Sequence, residues 1–257
     1  AEEPTDWDHP LDAADTLLNA ARTPRGDNAV TVASLLLGVT GRLGANATQS
    51  ELAASLKPPV TRGRISQLLA TLQDRWAADD EALDLLDRLI GVTNKRLDEL
   101  GGVATFDELA DHLLTLMTPR RGVAGADELR TVEGLLRCAL DRKAAIERAG
   151  DDALPPWSLR RREGRPVLVA VHPTLLDVAE ALGHRADALV PAARAATALG
   201  AEVPDQVDTE TGSLPVAAWL RDGRRLARLG AVMSHKAGAS AVGDLHPAQT
   251  DAARWAI

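Results

Sequence analysis

The stretch Thr48-Gln49-Ser50-Glu51-Leu52-Ala53-Ala54-Ser55-Leu56-Lys57-Pro58-Pro59-Val60-Thr61-Arg62-Gly63-Arg64-Ile65-Ser66-Gln67-Leu68-Leu69 reads as two helices joined by a proline-stiffened turn. Thr48 is placed to cap the first helix, with Glu51 three residues on reaching back to complete a capping box, and Thr61 caps the second. Ile65, Leu68, Leu69, Leu72 and Trp76 recur at helical spacing, which predicts a stripe packed on Leu52 and Leu56. Arg62, Gly63, Ser66 and Gln67 then share the opposite face, which is short, polar and cationic. In a helix-turn-helix the first residues of the second helix meet base edges in the major groove, where Arg grips guanine and Gln adenine through paired hydrogen bonds. Arg62, Ser66 and Gln67 are the candidate base readers, and Lys57 and Arg64 the candidate phosphate contacts.

Of the 257 residues 45% are hydrophobic but only 2% aromatic, with no Tyr and one Phe. Cores of this kind are built from Ala, Leu and Val, which predicts an all-α, mainly helical fold of several small units. Cys138 alone excludes an internal disulfide, and no apolar run nears the ~18 residues of a membrane span, so a cytoplasmic location is expected. The start Ala1-Glu2-Glu3-Pro4 lacks an initiator Met and a signal pattern, and Asp251 to Ile257 reads as helix where the sequence stops; the chain is expected to be a fragment of something longer. The net charge of −8 argues against nucleic acid only as an average. Between Arg22 and Gln73 the cations are Arg22, Arg25, Arg42, Lys57, Arg62 and Arg64, against Asp27 and Glu51, so this window carries +4 and the remainder −12. A cationic face on an acidic body binds phosphate with modest, steeply salt-dependent affinity.

Four segments are expected. Residues 1–10 are polar and read as a disordered start. The span 11–78 holds helices over about 11–21 and 28–37, the second capped by Asp27, then breaks at Gly38, Gly41 and Gly44 before the helix pair. The span 79–172 opens on a stripe of Leu83, Leu86, Leu89, Ile90, Leu97 and Leu100, stops at Gly101-Gly102, and restarts at the capping box Thr105-Phe106-Asp107-Glu108. After breaks at Pro119 and Gly122 it adds a helix over about 126–148. Trp157-Ser158-Leu159-Arg160-Arg161-Arg162, the turn Glu163-Gly164, and Arg165-Pro166-Val167-Leu168-Val169-Ala170-Val171 read as the one β-hairpin, and three helices with a hairpin predict a winged helix. Strand alternation puts Arg160 and Arg162 on one side and Leu159 and Arg161 on the other, making Arg160 and Arg162 further candidate phosphate contacts. The span 173–257 reads as an incomplete helical unit, with helices over about 174–182, 185–199, 214–220 and 224–236 and a loop from Pro204 to Gly212.

Catalytic patterns are missing. His9, His112, His172, His184, His235 and His246 form no i, i+4 pair and there is no cysteine pair, so no metal or other cofactor is expected. Gly38-x-x-Gly41-x-x-Gly44 lacks dinucleotide spacing. Gly183-His184-Arg185-Ala186-Asp187 carries an Ala where a kinase catalytic loop joins Arg directly to Asp. Cys138, following Leu135 and Leu136, reads as a small core residue, and His172 as a local cap.

A helix ending Leu35-Leu36-Leu37-Gly38 followed by the helix pair is similar to region 4, the promoter-reading part of bacterial sigma factors. Gly26-Asp27-Asn28, then Thr61 to Gln67 with Asp74-Arg75-Trp76, then Gly101-Gly102-Val103-Ala104-Thr105-Phe106-Asp107-Glu108-Leu109-Ala110, and Leu175-Leu176-Asp177-Val178-Ala179-Glu180-Ala181-Leu182-Gly183 follow in order. Together, over about residues 26–255, they resemble the region beyond the kinase domain of the serine/threonine kinase W component of the phage growth limitation (Pgl/BREX) defence system. The resemblance implies a parent protein that phosphorylates partners during phage defence. This piece would be a noncatalytic regulatory region that binds double-stranded DNA or, alternatively, a helical scaffold for other defence proteins. No catalytic residue carries over, because no kinase motif occurs here. The chain departs from the sigma pattern at Lys57-Pro58-Pro59, which lengthens the turn, and at Gly63, where a polar reader is usual.

Overall fold

Runs rich in Ala, Leu and Val fold here as helices that bury one stripe each. A computed structural model describes residues 7–24, 28–41, 43–117, 126–149, 157–162, 165–177, 206–209 and 212–215. The elements are α1 (Pro10–Ala21), α2 (Asn28–Leu36), α3 (Gln49–Ser55), α4 (Arg62–Ala77), α5 (Asp80–Glu99), β1 (Val103–Thr105), α6 (Phe106–Met117), α7 (Ala126–Ala149), β2 (Ser158–Arg162), β3 (Arg165–Ala170), β4 (Gln206–Thr209) and β5 (Gly212–Pro215). The fold is mainly helical, as the composition implied. Two compact units form: Ala1–Arg96 with Phe106–Pro156, and Leu97–Thr105 with Trp157–Ile257.

In the first unit, α1 packs on α2, α4 and α7 through Ala13, Ala14, Leu17 and Ala21, all fully buried. Pro10 opens α1, at the position where its missing N–H costs nothing, and His9 Nδ1 accepts from Leu11 N at 3.4 Å. The disordered start expected over 1–10 is corrected from residue 7 onward. Trp7 is buried, and the Arg88 guanidinium of α5 lies 5.3 Å from its ring centre while pairing with Asp8 at 3.5 Å. An aromatic ring under a cation is worth ~0.5–2 kcal/mol, enough to tie a polar segment down.

The boundary expected at residue 78 does not separate these helices. α7 packs on both α1 and α6, and its Gly134 lies directly on the chain at Leu36 and Leu37. Arg137 Nη1 on α7 also donates to the Ala45 carbonyl at 3.0 Å. α2 ends in a turn with Gly38 at φ 69°, a left-handed conformation that a Cβ disfavours. Asp27, its expected cap, lies outside the described residues.

Glu133 of α7 is half-buried near Asp107 and Asp111 of α6. Burial first, then the charge of Asp107, lifts its pKa from 4.5 to about 7, with Arg130 pulling the other way. A raised folded-state pKa means that the folded form holds the proton more tightly. The stabilisation is therefore complete below about pH 4.5 and is lost as pH rises through about 7. Discounted for the water that still reaches the side chain, the loss is about 1–2 kcal/mol. Glu133→Gln is accordingly expected to melt higher than wild type at about pH 8, with the gap shrinking at about pH 5. Paired thermal melts check this, and a gap that does not change with pH would contradict it.

In the second unit the expected hairpin is present as β2 and β3, and β1 joins it to give an antiparallel sheet of order β1-β3-β2. Gly102, at φ 87°, lets the chain enter β1: a Cβ there would sit 2.9 Å from Val171 Cγ2, and its carbonyl accepts from Val171 N at 2.9 Å. In chain order β1 comes first, before α6 and α7, yet it pairs with β3, so the sheet joins strands far apart in the sequence. The strict alternation expected along β2 fails, because the register shifts between Arg160 and Arg161. A second hairpin, β4 paired with β5, replaces the expected loop and the start of the helix over 214–220. Val207 opposite Leu214 and Asp208 opposite Ser213 form a period-two ladder too short to show against the surrounding Gly and Pro. Residues 173–177 are helical, while the helices expected over 185–199 and 224–236 lie outside the described residues.

Candidate nucleic-acid interface

The helix starts around residues 48 and 61 are set by the hydroxyl chemistry expected of them. Thr48 Oγ1 accepts from Glu51 N at 3.2 Å and Glu51 Oε2 accepts from Thr48 N at 2.7 Å, a complete capping box on α3. Thr61 Oγ1 accepts from Arg64 N at 3.2 Å and fixes the first turn of α4. Between them Leu56 is buried and Lys57, Pro58 and Pro59 are exposed, and Val60 N donates back to the Ala53 carbonyl at 3.1 Å.

Ile65, Leu68, Leu72 and Trp76 bury the inner face of α4, with Leu69 half-buried and Leu52 and Leu56 fully enclosed. The far end is tied to α1: the Trp76 indole N–H donates to the Leu17 carbonyl at 2.9 Å, and Arg75 Nη1 to the Ala21 carbonyl at 2.7 Å. That second bond answers one of the carbonyls left open where α1 ends. With the inner face so anchored, Arg62, Gly63, Arg64, Ser66 and Gln67 are all exposed on the outer face, next to exposed Lys57.

The guanidinium groups on this face are held by neutral amides. Arg62 Nε donates to Gln49 Oε1 at 3.0 Å, Ser66 Oγ donates to the same oxygen at 3.2 Å, and Arg64 Nη1 donates to Gln67 Oε1 at 3.0 Å. The positive charge of Arg62 and Arg64 is therefore oriented without being cancelled, whereas an ionised partner would offset it. Gln67 Oε1 accepts from Arg64 with one lone pair, which leaves the second lone pair and the NH2 group for adenine and ties the orientation of the amide to Arg64. Gln49 was not singled out from the sequence. The available signal was its position, since a residue opening the first helix of such a pair lies beside the start of the second.

The hairpin arginines differ. Arg160 is half-buried and its Nη2 meets Asp177 Oδ1 at 2.8 Å. Its charge is thus already paired with a carboxylate, unlike those of Arg62 and Arg64. The side chain of Arg162 lies outside what the structure describes. Both belong to the second unit, whereas Lys57, Arg62, Arg64, Ser66 and Gln67 share the first.

Cys138 is fully buried and burial pushes its thiol well above the usual range, which leaves it a core residue without thiolate character. His172 Nδ1 accepts from Thr174 N at 3.2 Å, a local cap. Among the described residues no group of three His, Cys, Asp or Glu side chains is placed to hold a metal ion, and no helix is long and apolar enough to cross a membrane. No protein-family model, no curated protein and no solved structure matches the chain.

Proposed function

We infer that the chain binds double-stranded DNA through the outer face of α4, as a noncatalytic regulatory region of a phage-defence serine/threonine kinase. Arg62, Ser66 and Gln67 meet base edges, and Lys57 and Arg64 hold phosphates on either side. One observation carries this reading: two exposed guanidinium groups stand on the first turns of an anchored helix with neutral rather than acidic partners. The helix cannot roll away, because Ile65, Leu68, Leu72 and Trp76 are all buried on its other side. Arg160, paired with Asp177, is left out of the interface, and the defence context rests on the order of the sequence motifs between residues 26 and 255.

Since each phosphate contact contributes a salt-log slope of about −0.9, the two phosphate contacts of Lys57 and Arg64 imply a shallow but measurable salt dependence. Arg62→Glu combined with Arg64→Glu is expected to weaken binding to a mixed-sequence duplex at least tenfold at about 50 mM salt and to flatten the salt slope by about one, the share of the Arg64 phosphate contact. Fluorescence anisotropy across a salt series measures both. Equal affinity in the double variant and wild type would remove the proposal.

A further inference from the structure

Gln49, the first residue of α3, is half-buried and gathers two side chains of the α4 surface on one oxygen: Arg62 Nε at 3.0 Å and Ser66 Oγ at 3.2 Å. Chemistry dictates its orientation. A guanidinium Nε–H only donates, so the facing atom is Oε1 and the NH2 group is turned away. Arginine reads O6 and N7 of guanine with two parallel N–H groups. A guanidinium offers such a pair either from its two terminal nitrogens or from Nε with one terminal nitrogen. With Nε engaged by Gln49, the terminal pair is the edge left to a base.

We propose that Gln49 sets guanine specificity on this surface, by holding Arg62 so that its terminal pair is presented and by fixing Ser66 beside it. This rests on the DNA-binding reading above and adds to it a positioning residue. Gln49 does not touch the base. Without it, Arg62 keeps its charge, and hence its attraction to phosphate, but turns freely among rotamers. Duplex affinity is then retained while base preference is lost, since phosphate contacts supply affinity and oriented base contacts supply sequence.

The full chain as wild type, Gln49→Ala and Gln49→Glu is equilibrated with a randomised duplex pool and the bound fraction sequenced, alongside titration of one mixed-sequence duplex and a thermal melt of each variant. Wild type is expected to enrich guanine at one position. Gln49→Ala is expected to enrich it about tenfold less, with mixed-duplex affinity within about twofold of wild type. Gln49→Glu keeps the accepting oxygen, so it is expected to retain the guanine preference while binding every duplex more weakly, because its carboxylate offsets Arg62. Undiminished enrichment in Gln49→Ala, lost enrichment in Gln49→Glu, or a wild type that binds without enriching guanine would each overturn the role of Gln49 alone. A wild type that binds no duplex would overturn the DNA reading itself.

Discussion

Replacing Trp76 with alanine is expected to destabilise the first unit by about 3–5 kcal/mol, the usual cost of deleting a large buried aromatic and leaving a cavity behind. Trp76 is 1% exposed and, through its indole N–H on the Leu17 carbonyl at 2.9 Å, joins α4 to α1 as well as filling the space between them. Trp76→Phe separates the two contributions. It keeps most of the apolar volume and gives up the hydrogen bond, so about 1–2 kcal/mol is expected from it. Urea unfolding of the two variants measures both values. A loss below about 1 kcal/mol for Trp76→Ala would mean that α4 is held by something other than this side chain, and the anchoring of its outer face would need another cause.

The second large effect is a reversal of sign. Gly→Ala in an exposed helix interior stabilises by about 1 kcal/mol, because alanine has the higher helix propensity. Gly91 in α5 is exposed, with nothing within 4 Å of the position a Cβ would take, so Gly91→Ala is expected to follow that rule. Gly134 in α7 is expected to break it. A Cβ there would stand 2.5 Å from Leu37 Cα, 2.7 Å from the Leu36 carbonyl oxygen and 2.9 Å from the Leu37 carbonyl carbon. All three are backbone atoms, which cannot swing aside as a side chain does, so the two segments must separate and leave poorer packing around fully buried Leu37. Gly134→Ala is therefore expected to cost about 2–3 kcal/mol and Gly134→Val more. Thermal and urea unfolding of Gly91→Ala and Gly134→Ala side by side give the comparison. Two variants of the same sign would show that α7 does not lie on the end of α2 as described.

What the sequence disclosed, and what it hid, divides along the range of the interaction. The cap at Thr48, its return partner Glu51, the cap at Thr61 and the stripe Ile65, Leu68, Leu72 and Trp76 all act within one or two helical turns, and each stands where the pattern put it. Gly134 against Leu37 joins residues about a hundred positions apart, and a glycine within a helical run looks locally like a mere weakness. Trp7 reads as part of a polar tail until Arg88 is seen over its ring. Arg160 reads as a free cation until the fold brings up Asp177, seventeen residues on. Of the candidate interface, the exposed residues were readable from helical period alone. Gln49 was not, because its importance lies in a bond to the next helix rather than in its own segment.

Among all these claims, the contact of the α4 outer face with DNA is the one on which function depends, and it is open to direct mapping. An NMR titration of the uniformly nitrogen-15-labelled chain with a short mixed-sequence duplex would follow backbone amides together with arginine Nε–H signals. The expected result is that shifts gather over residues 57–67, include the Nε–H groups of Arg62 and Arg64, and vanish in the Arg62→Glu, Arg64→Glu variant. Shifts that avoid this segment, or that persist unchanged in the variant, would contradict it.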